Sequence, residues 1–210
     1  DINRGDKLNH MSSMSCRDFV HNREFRELAK TDEFFSQFDP DSQIGNMNTS
    51  LIMTEKGKTI MLQHDVSSPR PYSRHYMISG TRAVAQKYPL PARIATGEEW
   101  FTDEEMAEIT EKYTPEIVRH IGDLAKKVGG HGGMDFLMDW RLIDCLHNGI
   151  PLDQDVYDAA AWSSIVPLSE WSVANGSQPV PIPDFTCGSF STNIPVDLTL
   201  AKGGTTGVRI

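Results

Sequence analysis

The densest run of side chains able to do chemistry is Gln63-His64-Asp65-Val66-Ser67-Ser68-Pro69-Arg70-Pro71-Tyr72-Ser73-Arg74. It follows a β-branched, apolar stretch and precedes another, so it reads as a strand end and loop, where a sheet presents binding groups. Pro69 and Pro71 flank Arg70 and restrict its backbone, which fixes the direction of its side chain. Arg70 offers forked donors; Tyr72 offers a stacking face and a hydroxyl. Together they suit a hydroxyl-rich or acetamido ligand. The same pattern also fits a surface turn with a solvated Arg70 and a half-buried Tyr72. A second cluster is Gly129-Gly130-His131-Gly132-Gly133, just ahead of an apolar helical pattern. Helix N-termini attract anions, but no Lys-Ser/Thr follows and the spacing is not GxGxxG. A plain helix–helix connection in which His131 caps or packs fits it too. His64-Asp65 and His131-Asp135 each bring imidazole and carboxylate together, a pairing used in acid–base chemistry. His64, His75 and His131 lie on separate elements without ligand spacing, which argues against a metal site.

The elements that must hold these groups are legible as two halves. Residues 16–30 carry mixed helical spacing and predict a helix. Phe34, Phe35 and Phe38 then lead into the turn-rich Asp39-Pro40-Asp41-Ser42. Thr49–Thr54 and Thr59–Asp65 are apolar and β-branched, joined by Glu55-Lys56-Gly57-Lys58, a hairpin signal. Tyr72–Ser79, Arg82–Lys87 and Ala92–Thr96 read as further strands, and hairpin-linked strands predict one antiparallel sheet. The second half is helical. Thr102 or Asp103 caps a helix with acids in its first turn, and Pro115 starts another that runs to about Val128. Met134–His147 forms a third, with Cys145 as a buried thiol. Asp155–Ala174 forms a fourth, kinked at Pro167. Met134, Met138, Trp140, Trp162 and Trp171 sit at helical spacing within apolar runs and read as core. Pro179–Pro183 is extended, and the glycine-rich stretch 203–207 reads as a loose end. The fold class is α+β: an open, mostly antiparallel sheet packed with helices.

Composition narrows the function. The 210 residues are 39% hydrophobic and 23% charged, which describes a globular domain. A net charge of −9 disfavours nucleic acid and anionic membranes as partners. No apolar run approaches the roughly 20 residues of a membrane span. The first residues, Asp1-Ile2-Asn3-Arg4-Gly5-Asp6, carry no signal-peptide pattern and read like the middle of a protein. The compartment therefore stays open between exported and cytoplasmic. Three widely spaced cysteines, with no CxxC, give neither a zinc site nor a disulfide framework.

One resemblance runs through nearly the whole chain. Ile2–Asp6, Met47–Ser50, Lys56–Asp65, Ser68–Arg74, Ile78-Ser79-Gly80-Thr81, Gly130–Asp135 and Ile182-Pro183-Asp184-Phe185-Thr186 form an ordered series. The series is similar to the C-terminal half of glycoside hydrolase family 109, bacterial members of the Gfo/Idh/MocA oxidoreductase-like superfamily. The resemblance implies that residues 1–186 are a substrate domain, incomplete at its N-terminal side, and residues 187–210 a tail. It implies an N-terminal Rossmann domain outside this chain that binds NAD, so that no cofactor-binding residue lies within it. It further implies an α-N-acetylgalactosaminidase-like reaction: transient oxidation at the sugar C3, loss of the C2 proton, elimination of the aglycone, water addition and re-reduction. By the same resemblance, Tyr72 is the foremost substrate-binding candidate, followed by Arg70 and His131. The family's GxGxxG fingerprint and its upstream Tyr, Glu and His positions are not among these residues, so no catalytic residue is assigned here and the fragment alone is expected to be inactive. The expected partners are an N-acetylated sugar or glycoside, the chain's own Rossmann domain, and a second copy through the sheet face. A net sugar dehydrogenase of the superfamily, or a non-catalytic sugar-binding or oligomerisation module, are the alternatives.

Overall fold

The computed structural model describes residues 2–37, 45–65 and 67–195. In chain order its elements are β1 (Leu8–Ser15), α1 (His21–Leu28), α2 (Glu33–Ser36), β2 (Met47–Thr54), β3 (Thr59–Asp65), β4 (Tyr76–Ser79), β5 (Val84–Lys87), β6 (Arg93–Ala95), α3 (Asp103–Tyr113), α4 (Glu116–Val128), α5 (Met134–Asn148), α6 (Val156–Ser163), α7 (Ile165–Ala174) and β7 (Val180–Pro181). Short 3-10 turns occupy His131–Gly133 and Ser189–Ser191. The fold is α+β with open antiparallel sheets, as the sequence predicts. Instead of one sheet there are two, in two compact units: Asp1–Ser68 with Trp140–Ile210, and Pro69–Asp139. Phe38, the turn at 39–42, Val66 and the stretch 203–207 lie outside the described residues.

The first unit is built on a four-stranded sheet in the order β3-β2-β1-β7, every pair antiparallel. Its central strand β1 is absent from the sequence reading, for a physical reason. Leu8 and Met11 are three residues apart, a helical rather than an alternating spacing. The register slips between Leu8 and His10, which face Thr54 and Met53. That bulge adds one residue to β1 and returns Leu8 to the face of Met11. The two pack with Ile52, Val180 and Ile182, and Ile2, Ile165 and Leu168 close over them. Burying such side chains stabilises the fold by about 1.5–3 kcal/mol each.

β7 pairs only with His10 and Met11, so the amide of Ser13 needs another acceptor on that side. It donates to Ser172 Oγ of α7 at 2.9 Å, and that hydroxyl donates onward to the Gln178 carbonyl at 2.7 Å. Ser172 is fully buried. One side chain thus fastens α7 to the sheet and closes the turn behind the helix.

The loop before β1 is a buried polar junction. Arg4 and Asp158 are 5% and 2% exposed and meet as a fork, Nη1–Oδ1 at 2.9 Å and Nη2–Oδ2 at 2.6 Å. Asn3 donates to the same carboxylate. Asp6 accepts from Lys58 Nζ at 2.8 Å and from the amides of Lys7 and Lys56. Burial pushes the Asp6 carboxyl up, but these donors outweigh it and hold it at about 2. Burial likewise raises Asp158, and the hydrogen bonds from Arg4, the Asp155 amide and Asn3, with the Arg4 charge, together more than reverse it. Beyond residue 186, the Phe190 carbonyl accepts from Gly5 and Asn193 donates to the Asn3 carbonyl.

Asp155–Ala174 is two helices rather than one bent helix. The break lies at Ser164, which ends α6 and precedes α7. Pro167 is the third residue of α7, where a backbone N–H would have no intrahelical acceptor, so it begins that helix instead of kinking it. The predicted helix at 16–30 contracts to α1, which buries no residue.

In the second unit β4, β5 and β6 form a three-stranded antiparallel sheet. Thr102 and Glu105 make the reciprocal cap that opens α3, and Pro115 leads into α4. Gly133 has φ +99 and lies against α4, where a Cβ would come within 2.8 Å of the Ala125 carbonyl carbon. Only glycine meets both demands.

Cys145 is 1% exposed, as expected, and burial pushes its thiol up. The expected core aromatics differ: Trp162, Trp171, Met134 and Met138 are 55, 44, 43 and 61% exposed. Their apolar faces are broader than the surface this chain folds against them.

Candidate functional site

Tyr72 and Arg70 lie on the irregular segment that leads into β4, which begins only at Tyr76 rather than at Tyr72. His75 has φ 46, and its amide donates to Ser73 Oγ at 3.2 Å, so the chain turns before the strand begins. The turn sets the tyrosine hydroxyls around one cation. Arg74 donates through Nε to Tyr72 Oη and through Nη1 to Tyr76 Oη. Its guanidinium carbon lies 5.6 Å from the ring centre of Tyr72 and 5.9 Å from those of Tyr76 and Tyr88, within cation–π range. Tyr88, on the loop after β5, meets Tyr72 edge-on at 5.9 Å and Tyr76 at 6.1 Å. The hydrogen bond to Tyr72, followed by that to Tyr76, pushes the Arg74 guanidinium further up. Tyr72 and Tyr76 remain 68% and 55% exposed. The cluster is a solvent-facing platform of phenols around a positive charge, able to stack on a sugar ring and to donate to its oxygens.

His131 lies elsewhere in the same unit, on the turn between α4 and α5. Gly129, Gly130, Gly132 and Gly133 all have positive φ, and so has His131 at 47. His131 Nδ1 meets Asp135 Oδ2 at 2.8 Å. A Cβ on Gly130 would fall 2.9 Å from that Asp135 oxygen, so the glycine makes room for the pair. With Nδ1 engaged, Nε2 is the nitrogen left to meet a ligand. His64 is on β3, and Asp65 accepts from the amides of Ser67 and Ser68, which makes it a loop cap. No group of three or more His, Cys, Asp or Glu side chains that could hold a metal converges among the described residues.

The structure therefore gathers Tyr72 with Arg74, Tyr76 and Tyr88 and places His131 on a separate element. Sequence reasoning singled out Tyr72 and missed the other three. A signal was present: Tyr72, Arg74 and Tyr76 are so close in sequence that a single local turn can bring their side chains together.

Comparison with known proteins fixes the family. The model of the glycosyl hydrolase 109 C-terminal domain matches residues 1–192. A glycosyl hydrolase family 109 protein of Porphyromonas gingivalis is 46% identical over 206 residues, 90% of this chain and 43% of that protein. One from Phocaeicola vulgatus is 43% identical over 194 residues, 90% and 46% of the two. One from Shewanella amazonensis is 44% identical over 209 residues, 94% and 44%. The chain spans less than half the length of these relatives. With the family domain matched across all but its last residues, the chain belongs to glycosyl hydrolase family 109, as the C-terminal domain.

Proposed function

We propose that this chain is the substrate-side domain of an NAD-dependent glycosidase that cleaves α-N-acetylgalactosaminides, and that Tyr72 contacts the sugar. The exposed phenol of Tyr72, fixed by Arg74 beside two further tyrosines, carries the reading. It offers one directed O–H and an aromatic wall, which suit an acetamido carbonyl or a ring hydroxyl. Arg70 and His131 are the secondary contacts in this reading, the latter through Nε2. The glycine loop before α5 follows a helix rather than a strand and lacks the GxGxxG spacing. It does not fit a dinucleotide, so in this reading NAD belongs to a Rossmann domain of the longer protein. The outer face of the larger sheet supports a second copy as partner: Met14, Leu51 and Met61 stand 67, 58 and 68% exposed there.

The test is turnover by the full-length protein. Nitrophenyl α-N-acetylgalactosaminide should be cleaved with no net accumulation of NADH. Failure to cleave it, together with steady NADH formation from free N-acetylgalactosamine, would replace this reading with a sugar dehydrogenase.

A further inference from the structure

We propose that Arg74 is a positioning residue, which holds the Tyr72 phenol so that its proton faces the ligand. The inference rests on the reading of Tyr72 as a substrate contact. Two observations carry it. First, Arg74 makes no ion pair among the described residues; its positive charge is held by hydrogen bonds to two phenols and by three ring faces. An exposed arginine ordinarily stays solvated or finds a carboxylate, so three aromatic partners on one guanidinium are a built arrangement. Second, the direction of the bond matters. The Tyr72 oxygen accepts from Arg74 Nε, so its lone pair is engaged and its hydrogen is left for another acceptor. An O–H whose oxygen accepts from a cation is also a stronger donor.

Without Arg74, Tyr72 would keep its edge contact with Tyr88 among the described residues. The ring is 68% exposed and would be free to rotate about its own side-chain bonds. Arg74 thus removes rotamer freedom before the ligand arrives, which favours binding by preorganisation. Its planar fork reaches Tyr72 and Tyr76 together, which a lysine ammonium cannot match in geometry.

The test is a double-mutant cycle in the full-length protein, with kcat and KM for nitrophenyl α-N-acetylgalactosaminide and direct titration with N-acetylgalactosamine. Arg74→Gln should weaken both by about tenfold, on the scale of coupled neighbouring side chains. The loss should appear mainly in KM, and Arg74→Lys should restore part of it. In a Tyr72→Phe background the same Arg74→Gln change should have less than about a twofold effect. Equal losses in both backgrounds would show that Arg74 acts without Tyr72 and would overturn the proposal, as would a silent Arg74→Gln beside a damaging Tyr72→Phe. A silent Tyr72→Phe would instead overturn the substrate contact itself. Should Arg74→Gln fail to fold, Arg74→Lys decides: an altered tyrosine band in near-ultraviolet circular dichroism with raised KM supports positioning, and an unaltered band with unchanged KM overturns it.

Discussion

Arg4 and Asp158 are 154 residues apart in sequence and meet out of contact with water; Arg74 and Tyr72 are two apart and meet in full view of it. The two arginines characterise their units. In the larger one, polar groups are sealed by partners from distant segments: Arg4 by α6, Asp6 by the β2–β3 turn, Ser13 by α7. In the smaller one they are arranged by neighbours, Arg74 by Tyr72 and Tyr76, His131 by Asp135. Long-range buried pairing holds a fold together, because breaking it strands a charge. Short-range exposed pairing aims a side chain at solvent, where a ligand arrives.

The sharpest way to break the contrast is Arg4→Ala. It leaves Asp158 buried with its principal donor gone and should destabilise the chain by about 3–5 kcal/mol in urea unfolding. A loss below about 1 kcal/mol would mean that the junction is not what seals this unit. A smaller effect follows from pH. Asp6 is held at about 2 against an ordinary 3.8. The fold favours its ionised form, so that stabilisation is complete above about pH 4 and is lost as pH falls through 2. It amounts to about 2 kcal/mol, and Asp6→Asn should flatten that part of the stability–pH curve. Smallest of all, Arg74→Gln should shift the thermal midpoint by no more than about 1 °C. A large shift would assign Arg74 to the fold rather than to the ligand.

The same contrast explains what the sequence reveals. The β2–β3 hairpin is readable because Gly57, at φ +77, turns two apolar, β-branched runs back on each other. The reciprocal cap at Thr102 and Glu105, and Pro115 ahead of α4, are local signals, and both fall at the predicted ends. β1 is not readable, since its bulge disguises the strand period. Nor is the division into two sheets, because strand pairing across a chain is decided by burial and not by neighbours. The pairing of Arg4 with Asp158 has no local signal at all. In the candidate site the reverse holds: Tyr72 stands out from its own segment, and its companions Arg74 and Tyr76 are close neighbours in sequence that the turn at His75 brings beside it. Tyr88 is not such a neighbour, because it reaches the cluster through the antiparallel pairing of β5 with β4, which sets Lys87 opposite Tyr76.

The bulge in β1 has a consequence for how this domain can change by descent. One residue gained or lost inside a regular strand turns every side chain beyond it to the other face, but here the bulge absorbs the extra residue between Leu8 and His10. A lineage that dropped Asn9 would set Leu8 directly beside His10 and two positions from Met11, still facing the interior opposite Thr54, although the length of β1 had changed. A residue lost instead from the regular stretch between His10 and Ser15 would turn the side chains before it to the other face, so β1 behaves like a reading frame with slack at a single place.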